Sequence, residues 1–176
     1  MRLYMAGPLF TPYERSFIAE NARRLRKLGF ECFVPHEQEV VAATDRGSPT
    51  SDDRGRYQQQ LLADHIFAKD NTGLIRANAV VALLDGPMVD DGTACEIGLF
   101  HGLMQSDPTK LGILGILTDT RASVGFEGKG LNLYLLGCIQ QSGAVFSSVD
   151  DCVETLERWR AQLPAAGGGP PEMGAR

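Results

Sequence analysis

The 176-residue sequence predicts an α/β fold in which a doubly wound parallel sheet of about five strands is covered by helices on both faces. Continuously apolar segments alternate with segments of helical periodicity, the order expected of a parallel sheet buried on both faces. Glycine, proline and other turn-forming residues separate these segments. We expect one domain over residues 1–163 and a disordered tail over 164–176, which is rich in glycine and proline.

The elements follow one another in a strand, loop, helix order. The first helix has the clearest signals: Thr11 is an N-cap, Pro12 stands at the first helical position, Glu14 completes a capping box and Gly29 ends the helix. Strands are predicted over residues 2–5, 31–35, 79–84, 111–117 and 144–146. Further helices are predicted over about 57–76, from Thr93 onward, and over about 149–162.

The composition narrows the classes of function. A net charge of −5 and a pI of about 5.2 argue against a surface that neutralises nucleic-acid phosphates or anionic lipids. No segment approaches the roughly 20 apolar residues that cross a membrane, and the four cysteines are scattered without metal-ligand spacing. We therefore expect a cytoplasmic protein with reduced cysteines and no metal site, which acts on small molecules and binds neither nucleic acid nor membrane.

In a doubly wound sheet, ligands bind at the carboxyl ends of the strands, near the point where the strand order reverses. The turn after the first strand lacks G-x-G-x-x-G, and the chain has no G-x-x-x-x-G-K-[ST] motif, so we expect no nucleotide cofactor. Three polar stretches follow strands and are candidates for the site. They are residues 6–10, 85–96 and 118–132.

Three carboxylates in or near these stretches are the candidate catalytic groups. Glu96 lies in an otherwise uncharged run, Asp90 stands at the same helix start, and Asp70 shares a face with Ile66 and Leu74 by i, i+4 spacing. If the three converge, they form an apolar-walled pocket without a basic partner. Such a site suits glycosidic chemistry, in which one carboxylate attacks an anomeric carbon and another protonates the leaving group.

Structural explanations for the same residues remain open. Thr93 to Glu96 has the spacing of a capping box, and acidic side chains are favoured at a helix N-terminus. That N-terminus would also help to keep Glu96 ionised. Asp70 is equally consistent with an aspartate near the solvent rim of its helix.

Four segments together resemble the nucleoside 2-deoxyribosyltransferase family over about residues 1–148. In chain order they are "LYMAGPLF", "KDNTGLIRANAVVALLDG", "DDGTACEIGLF" and "GFEGKGLNLYLLG". The resemblance implies a flavodoxin-like fold and a double displacement at C1′ of a 2′-deoxyribonucleoside, without a cofactor. Nucleosides and free nucleobases would be the substrates, and configuration at C1′ would be retained.

The resemblance also implies roles for individual residues. Glu96 is similar to the nucleophile that forms a covalent deoxyribosyl ester, Asp70 to the aspartate that transfers a proton to the base, and Tyr4 to the tyrosine that orients the nucleophile. Substrate-binding roles are implied for five further residues, namely Asp90 at the sugar hydroxyls, Phe10 and Glu39 at the base, Gly7 in the A-G-P turn, and Asn132, which a neighbouring subunit would donate. The last role requires a homo-oligomer, either a dimer or a hexamer.

Other activities, and other roles for several of these residues, are also consistent with the sequence. An N-glycosidase would use the same glutamate but let water resolve the intermediate, on deoxynucleosides or their 5′-monophosphates. A nucleotide-binding module without turnover is the remaining alternative. Tyr4 and Phe10 are also consistent with core aromatics, Asn132 with a turn cap and Glu39 with a solvated loop charge, while the long segment 42–56 leaves base preference open.

Overall fold

The computed structural model describes residues 1–38, 54–119 and 130–164, with the backbone alone for residues 54–60. In this part of the chain five parallel strands form one sheet. They are β1 (Arg2–Ala6), β2 (Glu31–Phe33), β3 (Ala79–Leu83), β4 (Gly112–Ile116) and β5 (Val145–Phe146). The α-helices are α1 (Pro12–Lys27), α2 (Arg54–Arg76), α3 (Asp91–Met104), α4 (Leu133–Gln140) and α5 (Val149–Arg160), and a 3₁₀ helix spans Pro35–Glu37.

The sheet has the order β2-β1-β3-β4-β5, which confirms the doubly wound, flavodoxin-like fold. The chain first moves outward from β1 to β2 and then returns to the other side of β1, so the order reverses between β1 and β3. These two strands pair in parallel from Leu3 opposite Ala79 to Ala6 opposite Ala82. Their carboxyl ends therefore lie side by side at the position where this fold class binds ligands.

Side chains that alternate along the strands pack into two separate hydrophobic cores, one on each face of the sheet. Leu3 and Met5 face the core that α1 and α5 cover, which includes Ile18, Leu156 and Trp159. Tyr4 and Ala6 face the opposite core, where they pack with Leu74 of α2, Ile97 and Phe100 of α3, and Leu135 and Ile139 of α4. The period-2 alternation of β1 thus directs the hydroxyl of Tyr4 towards α2 and α3.

The start of α1 confirms its predicted signals. The hydroxyl of Thr11 accepts from the backbone of Glu14, and the carboxylate of Glu14 accepts from the backbone of Thr11. Gly29 adopts φ +85°, a conformation that terminates helices and favours glycine.

Helix α4 was not predicted. Its sequence, LYLLGCIQ, lacks charged residues, and the glycine at position 137 lowers its helix propensity. The helix is stabilised instead by packing, since Leu135, Cys138 and Ile139 are buried against β4 and α3.

The remaining predictions concern the C-terminal tail, membrane-spanning helices and the cysteines. Of the expected tail over residues 164–176, residues 165–176 lie outside the described residues. None of the helices in the described ranges is long and apolar enough to span a membrane. Three of the four cysteines are buried, and Cys95 is exposed.

Candidate active site

Tyr4 and Glu96 form the centre of the candidate site. The Tyr4 hydroxyl donates a hydrogen bond to Glu96 Oε1 at 2.5 Å. Tyr4 has no exposed surface and stacks on Phe33 with ring centroids 5.3 Å apart, so its hydroxyl has little freedom to move. Burial, and then the neighbouring Glu96 carboxylate, raise the pKa of Tyr4 well above its usual range, so the phenol stays a donor at physiological pH.

The electrostatics of Glu96 show that the predicted carboxylates converge. Burial raises the pKa of Glu96 to about 7, and the hydrogen bond from Tyr4 opposes that rise. The negative charges of Asp70 and Asp90 lie close enough to raise the pKa further. The side chains that the sequence singles out on β1, α2 and α3 therefore do share one site.

The expectation that the helix N-terminus holds Glu96 ionised is wrong. Glu96 is the sixth residue of α3, whereas the field of a helix terminus falls off within the first turn. The apolar surroundings dominate instead. Because its pKa lies near neutrality, Glu96 exchanges between carboxylate and carboxylic acid around pH 7.

Asp90, and not Thr93 as the sequence predicted, caps the N-terminus of α3. It is the N-cap of α3, and its Oδ2 accepts from the backbone N–H of Thr93 at 2.9 Å and from the Thr93 hydroxyl at 3.1 Å. The helix therefore begins at Asp91, and the proposed Thr93–Glu96 capping box is wrong. Capping fixes the Asp90 carboxylate beside Glu96, since the hydrogen bonds hold it at the end of the same helix.

Asp70 has a basic neighbour that the sequence did not reveal. Lys69 Nζ lies 3.6 Å from Asp70 Oδ1, an ion-pair distance that is too long for a hydrogen bond. Burial raises the pKa of Asp70, and the Lys69 ammonium opposes the rise. The expected pocket without a basic partner is therefore wrong. The predicted apolar face is also incomplete, because Leu74 is buried but Ile66 is 40% exposed.

The turn after β1 brings its backbone close to the core. Gly7 adopts φ +149°, and a Cβ there would lie 2.8 Å from Ile18 Cδ1 and 2.9 Å from Leu83 Cβ. Only glycine fits this conformation and this approach without a shift of its neighbours. The turn is held further by Arg15, whose guanidinium donates to the Leu9 carbonyl at 2.6 Å. Phe10 projects from the same turn and is 77% exposed.

A cleft of about 840 Å³ lies beside this site, between the carboxyl ends of β3 and β4 and helices α3 and α4. Its wall is mostly apolar and includes Met88, Leu131 and Tyr134. Asn132 lines it and is the N-cap of α4, where its Oδ1 accepts from the backbone of Tyr134 at 3.0 Å and of Leu135 at 3.3 Å. The alternative role of Asn132 as a cap is thus present in the structure.

Asp85 joins two of the candidate stretches. One carboxylate oxygen accepts from the backbone N–H groups of Thr118 at 2.6 Å and Asp119 at 3.0 Å. This contact ties the end of β3 to the end of β4, so Asp85 orders the edge on which the site stands. The remaining predicted residue, Glu39, lies outside the described residues. Within the described ranges, no group of three or more His, Cys, Asp or Glu side chains is placed to hold a metal ion.

The fold and the site together define a doubly wound α/β protein with a cluster of partly buried carboxylates at the switch point of its sheet. Comparison with known proteins agrees with this description. The family model described as nucleoside 2-deoxyribosyltransferase matches residues 3–135, and the chain therefore belongs to the nucleoside 2-deoxyribosyltransferase family. Membership supports a nucleoside deoxyribosyltransferase-like function, with nucleosides and nucleobases as the class of substrates.

Solved structures support the fold. A conserved protein from Enterococcus faecalis V583 is 24% identical, with 93% of this chain and 99% of that chain covered and a TM-score of 0.65. A 2-deoxyribosyltransferase from the psychrotolerant bacterium Bacillus psychrosaccharolyticus is 19% identical, with 86% of this chain and 89% of that chain covered and a TM-score of 0.57. No curated protein matches the chain.

Proposed function

We propose that the protein transfers the 2-deoxyribosyl group of a 2′-deoxyribonucleoside from one nucleobase to another, with Glu96 as the covalent nucleophile. The observation that carries this proposal is the hydrogen bond from the buried Tyr4 hydroxyl to Glu96 Oε1. It holds one oxygen of the carboxylate in place, so that Oε2 is the oxygen that attacks. Tyr4 keeps its own proton because its pKa is raised, and it acts as a fixed donor throughout.

The reaction follows as two displacements at C1′. In the first, Glu96 Oε2 forms a bond to C1′ while the bond from C1′ to the base breaks, and the bonding electrons leave with the base. Asp70 donates the proton that neutralises the departing base, a role that suits a carboxyl whose pKa is raised by burial. A second base then attacks C1′ from the opposite side, returns its proton to Asp70 and releases Glu96. Two inversions retain the configuration.

Binding roles follow from the same arrangement. The Asp90 oxygen that does not cap α3 accepts from a sugar hydroxyl. Gly7 lets the turn after β1 approach Leu83 closely, and Phe10, which projects from this turn, packs on the base. Glu39 is proposed to contact the base on the strength of the sequence resemblance alone, because it lies outside the described residues.

We further propose a homo-oligomer, a dimer or a hexamer, in which Asn132 reaches the site of a neighbouring subunit. The exposed apolar side chains next to it support this proposal, since Leu133 is 83% exposed and Tyr134 is 81% exposed. The side-chain oxygen of Asn132 caps α4, and the NH₂ group of the same amide can donate to a substrate. Light scattering should give a mass of at least a dimer, and a monomer at assay concentration would contradict this proposal.

The experiment that tests the function compares wild type, Glu96→Ala and a control variant. Each protein is incubated with 2′-deoxyinosine, with and without adenine, and the products are separated by chromatography. Wild type should form 2′-deoxyadenosine only when adenine is present, and Glu96→Ala should form none. The control Glu20→Ala changes an exposed glutamate on α1 and should behave as wild type.

Each other outcome has a defined meaning. If hypoxanthine is released but no 2′-deoxyadenosine forms in the presence of adenine, the protein is an N-glycosidase and not a transferase. Transfer by Glu96→Ala at the wild-type rate would reduce Glu96 to a structural residue and overturn the mechanism.

A further inference from the structure

Lys69 and Asp70 place an ammonium donor and a partly buried carboxyl side by side in the candidate site. Lys69 Nζ donates to the carbonyl of Pro35 at 2.9 Å, which holds the ammonium against the 3₁₀ helix. The same nitrogen lies 3.6 Å from Asp70 Oδ1. Among the described residues, that oxygen is buried and has no hydrogen-bond partner. A buried polar atom without a hydrogen-bond partner is costly, so the carboxyl of Asp70 is incompletely satisfied. The part of the side chain that remains exposed is where a ligand can bond to it.

Both side chains remain accessible to a small ligand. The side chain of Lys69 is 16% exposed and that of Asp70 is 20% exposed. An ammonium has three N–H donors, of which one serves Pro35. The pair therefore offers a ligand two adjacent donors when Asp70 is protonated, one from the carboxyl and one from the ammonium.

Two adjacent donors complement one edge of one class of base. The N7 edge of a 6-oxopurine carries two neighbouring acceptors, N7 and O6, whereas a 6-aminopurine carries the N7 acceptor beside an N6 donor. We propose that Lys69 is a specificity-determining residue that donates to O6 while Asp70 serves N7, so that the enzyme favours 6-oxopurine nucleosides such as 2′-deoxyinosine. This inference rests on the proposed transfer reaction and names its substrate class.

The pairing also assists departure of the base. As the C1′–N9 bond breaks, its electrons pass to the base, Asp70 gives its proton to N7, and Glu96 bonds to C1′. Lys69 keeps its proton and stabilises the charge that develops on O6. With a 6-amino base the N6–H groups would face the ammonium, which places donor against donor.

Several other titratable groups lie near Lys69 and Asp70, but their contacts differ from the ion pair that Lys69 makes. Tyr4 of β1 and Glu96 of α3 lie on the sugar side, where each responds to the charge of Asp70. Burial lowers the pKa of His36 in the 3₁₀ helix, and the charges of Glu37, Arg15 and Lys69 also act on it. Arg15 donates to the Leu9 carbonyl. Among the residues that the structure describes, Lys69 is therefore the cation that pairs with Asp70.

The test compares 2′-deoxyinosine and 2′-deoxyadenosine as donors to one acceptor base. Wild type should have a kcat/KM about tenfold to a hundredfold higher for 2′-deoxyinosine, the worth of a hydrogen bond to a charged group. Lys69→Met, which keeps the length of the stem and removes the donor, should bring the two values close together by lowering that for 2′-deoxyinosine. A wild type without this preference overturns the inference, whether or not the variant folds.

Lys110→Met is the matched control. Like Lys69, Lys110 donates to a backbone carbonyl, that of Ile75, and pairs with an aspartate, Asp107. Its loss should lower thermal stability and leave the donor preference unchanged. If Lys69→Met lowers both donors equally, Lys69 supports only the position of Asp70 and the inference fails.

Binding of free bases separates failure of the inference from failure of the proposed function. Calorimetry with hypoxanthine and adenine needs no turnover. Hypoxanthine should bind wild type more tightly than adenine, and Lys69→Met should remove the difference. A protein that shows this pattern but transfers no deoxyribosyl group keeps the inference and loses the proposed function, whereas transfer with equal binding of both bases does the reverse.

Discussion

Tyr4→Phe should change the pH dependence of the reaction more than its maximal rate. The substitution keeps the ring that stacks on Phe33 and removes the hydroxyl that donates to Glu96 Oε1. A hydrogen bond to a charged group contributes about 1.5–3 kcal/mol, and a change of one in pKa corresponds to about 1.4 kcal/mol. Loss of the bond should therefore raise the pKa of Glu96 from about 7 by roughly one to two.

The sign of the effect on rate follows from the form of Glu96 that attacks. Because only the carboxylate is nucleophilic, a higher pKa leaves less of it at a given pH. At a pH below both pKa values, a rise of one in the pKa of Glu96 should lower the rate about tenfold. The difference from wild type should narrow as the pH rises through the new pKa. Single-turnover release of hypoxanthine from 2′-deoxyinosine, measured from about pH 5 to pH 9, would show the displaced acidic limb directly.

Tyr13→Phe is the control for this prediction. It removes a hydroxyl from a tyrosine that is 80% exposed at the start of α1 and should leave the profile unchanged. If Tyr4→Phe has the same acidic limb as wild type, the Tyr4 hydroxyl does not set the ionisation of the nucleophile, and the reasoning about Glu96 is refuted.

Three further predictions concern stability and binding. Glu96→Gln should unfold at a higher urea concentration than wild type at pH 8 and lose this advantage by about pH 4.5. Because the pKa of Glu96 is raised in the folded state, wild type loses stability on the order of 3 kcal/mol as the pH rises from about 4.5 through 7. Equal urea midpoints at pH 8 would contradict this prediction. Gly7→Ala should lower the free energy of unfolding by roughly 2–4 kcal/mol, since the added Cβ meets Ile18 and Leu83 in a strained backbone conformation, and calorimetry would detect it. Asp90→Asn should keep stability within about 0.5 kcal/mol, because asparagine caps helices as well as aspartate does, yet raise KM for the nucleoside; an unchanged KM would leave Asp90 a cap alone.

Much of the fold was predictable because its signals are local. The capping residues of α1 and the apolar runs of β3 and β4 specify their elements without reference to the rest of the chain. Helix α4 was missed because burial against β4 and α3 stabilises it, and no local cap or charge pattern marks it apart from Asn132. The N-cap of α3 was misplaced by three residues, since Thr93 and Asp90 are both good caps and the hydrogen bonds decide between them.

The sequence predicted that three of the site's side chains lie near one another, but it did not predict their energetics. Tyr4, Asp70 and Glu96 were named from motifs, and the switch point of the sheet brings them together. The raised pKa of Glu96 comes from apolar side chains of several elements, which a sequence does not place around it. Lys69 was missed because neighbours at i, i+1 on a helix do not face each other, so its contact with Asp70 depends on the anchoring of its ammonium by Pro35.

The most direct test of the account is to look for the deoxyribosyl ester itself. Wild type would be mixed with 2′-deoxyinosine, quenched in acid within the first turnover and digested for mass spectrometry. We predict that the peptide containing Glu96 gains the mass of one deoxyribosyl group, and that added adenine removes it before the quench. Rapid turnover with no such adduct, or an adduct on another residue, would contradict the assignment of Glu96 as the nucleophile.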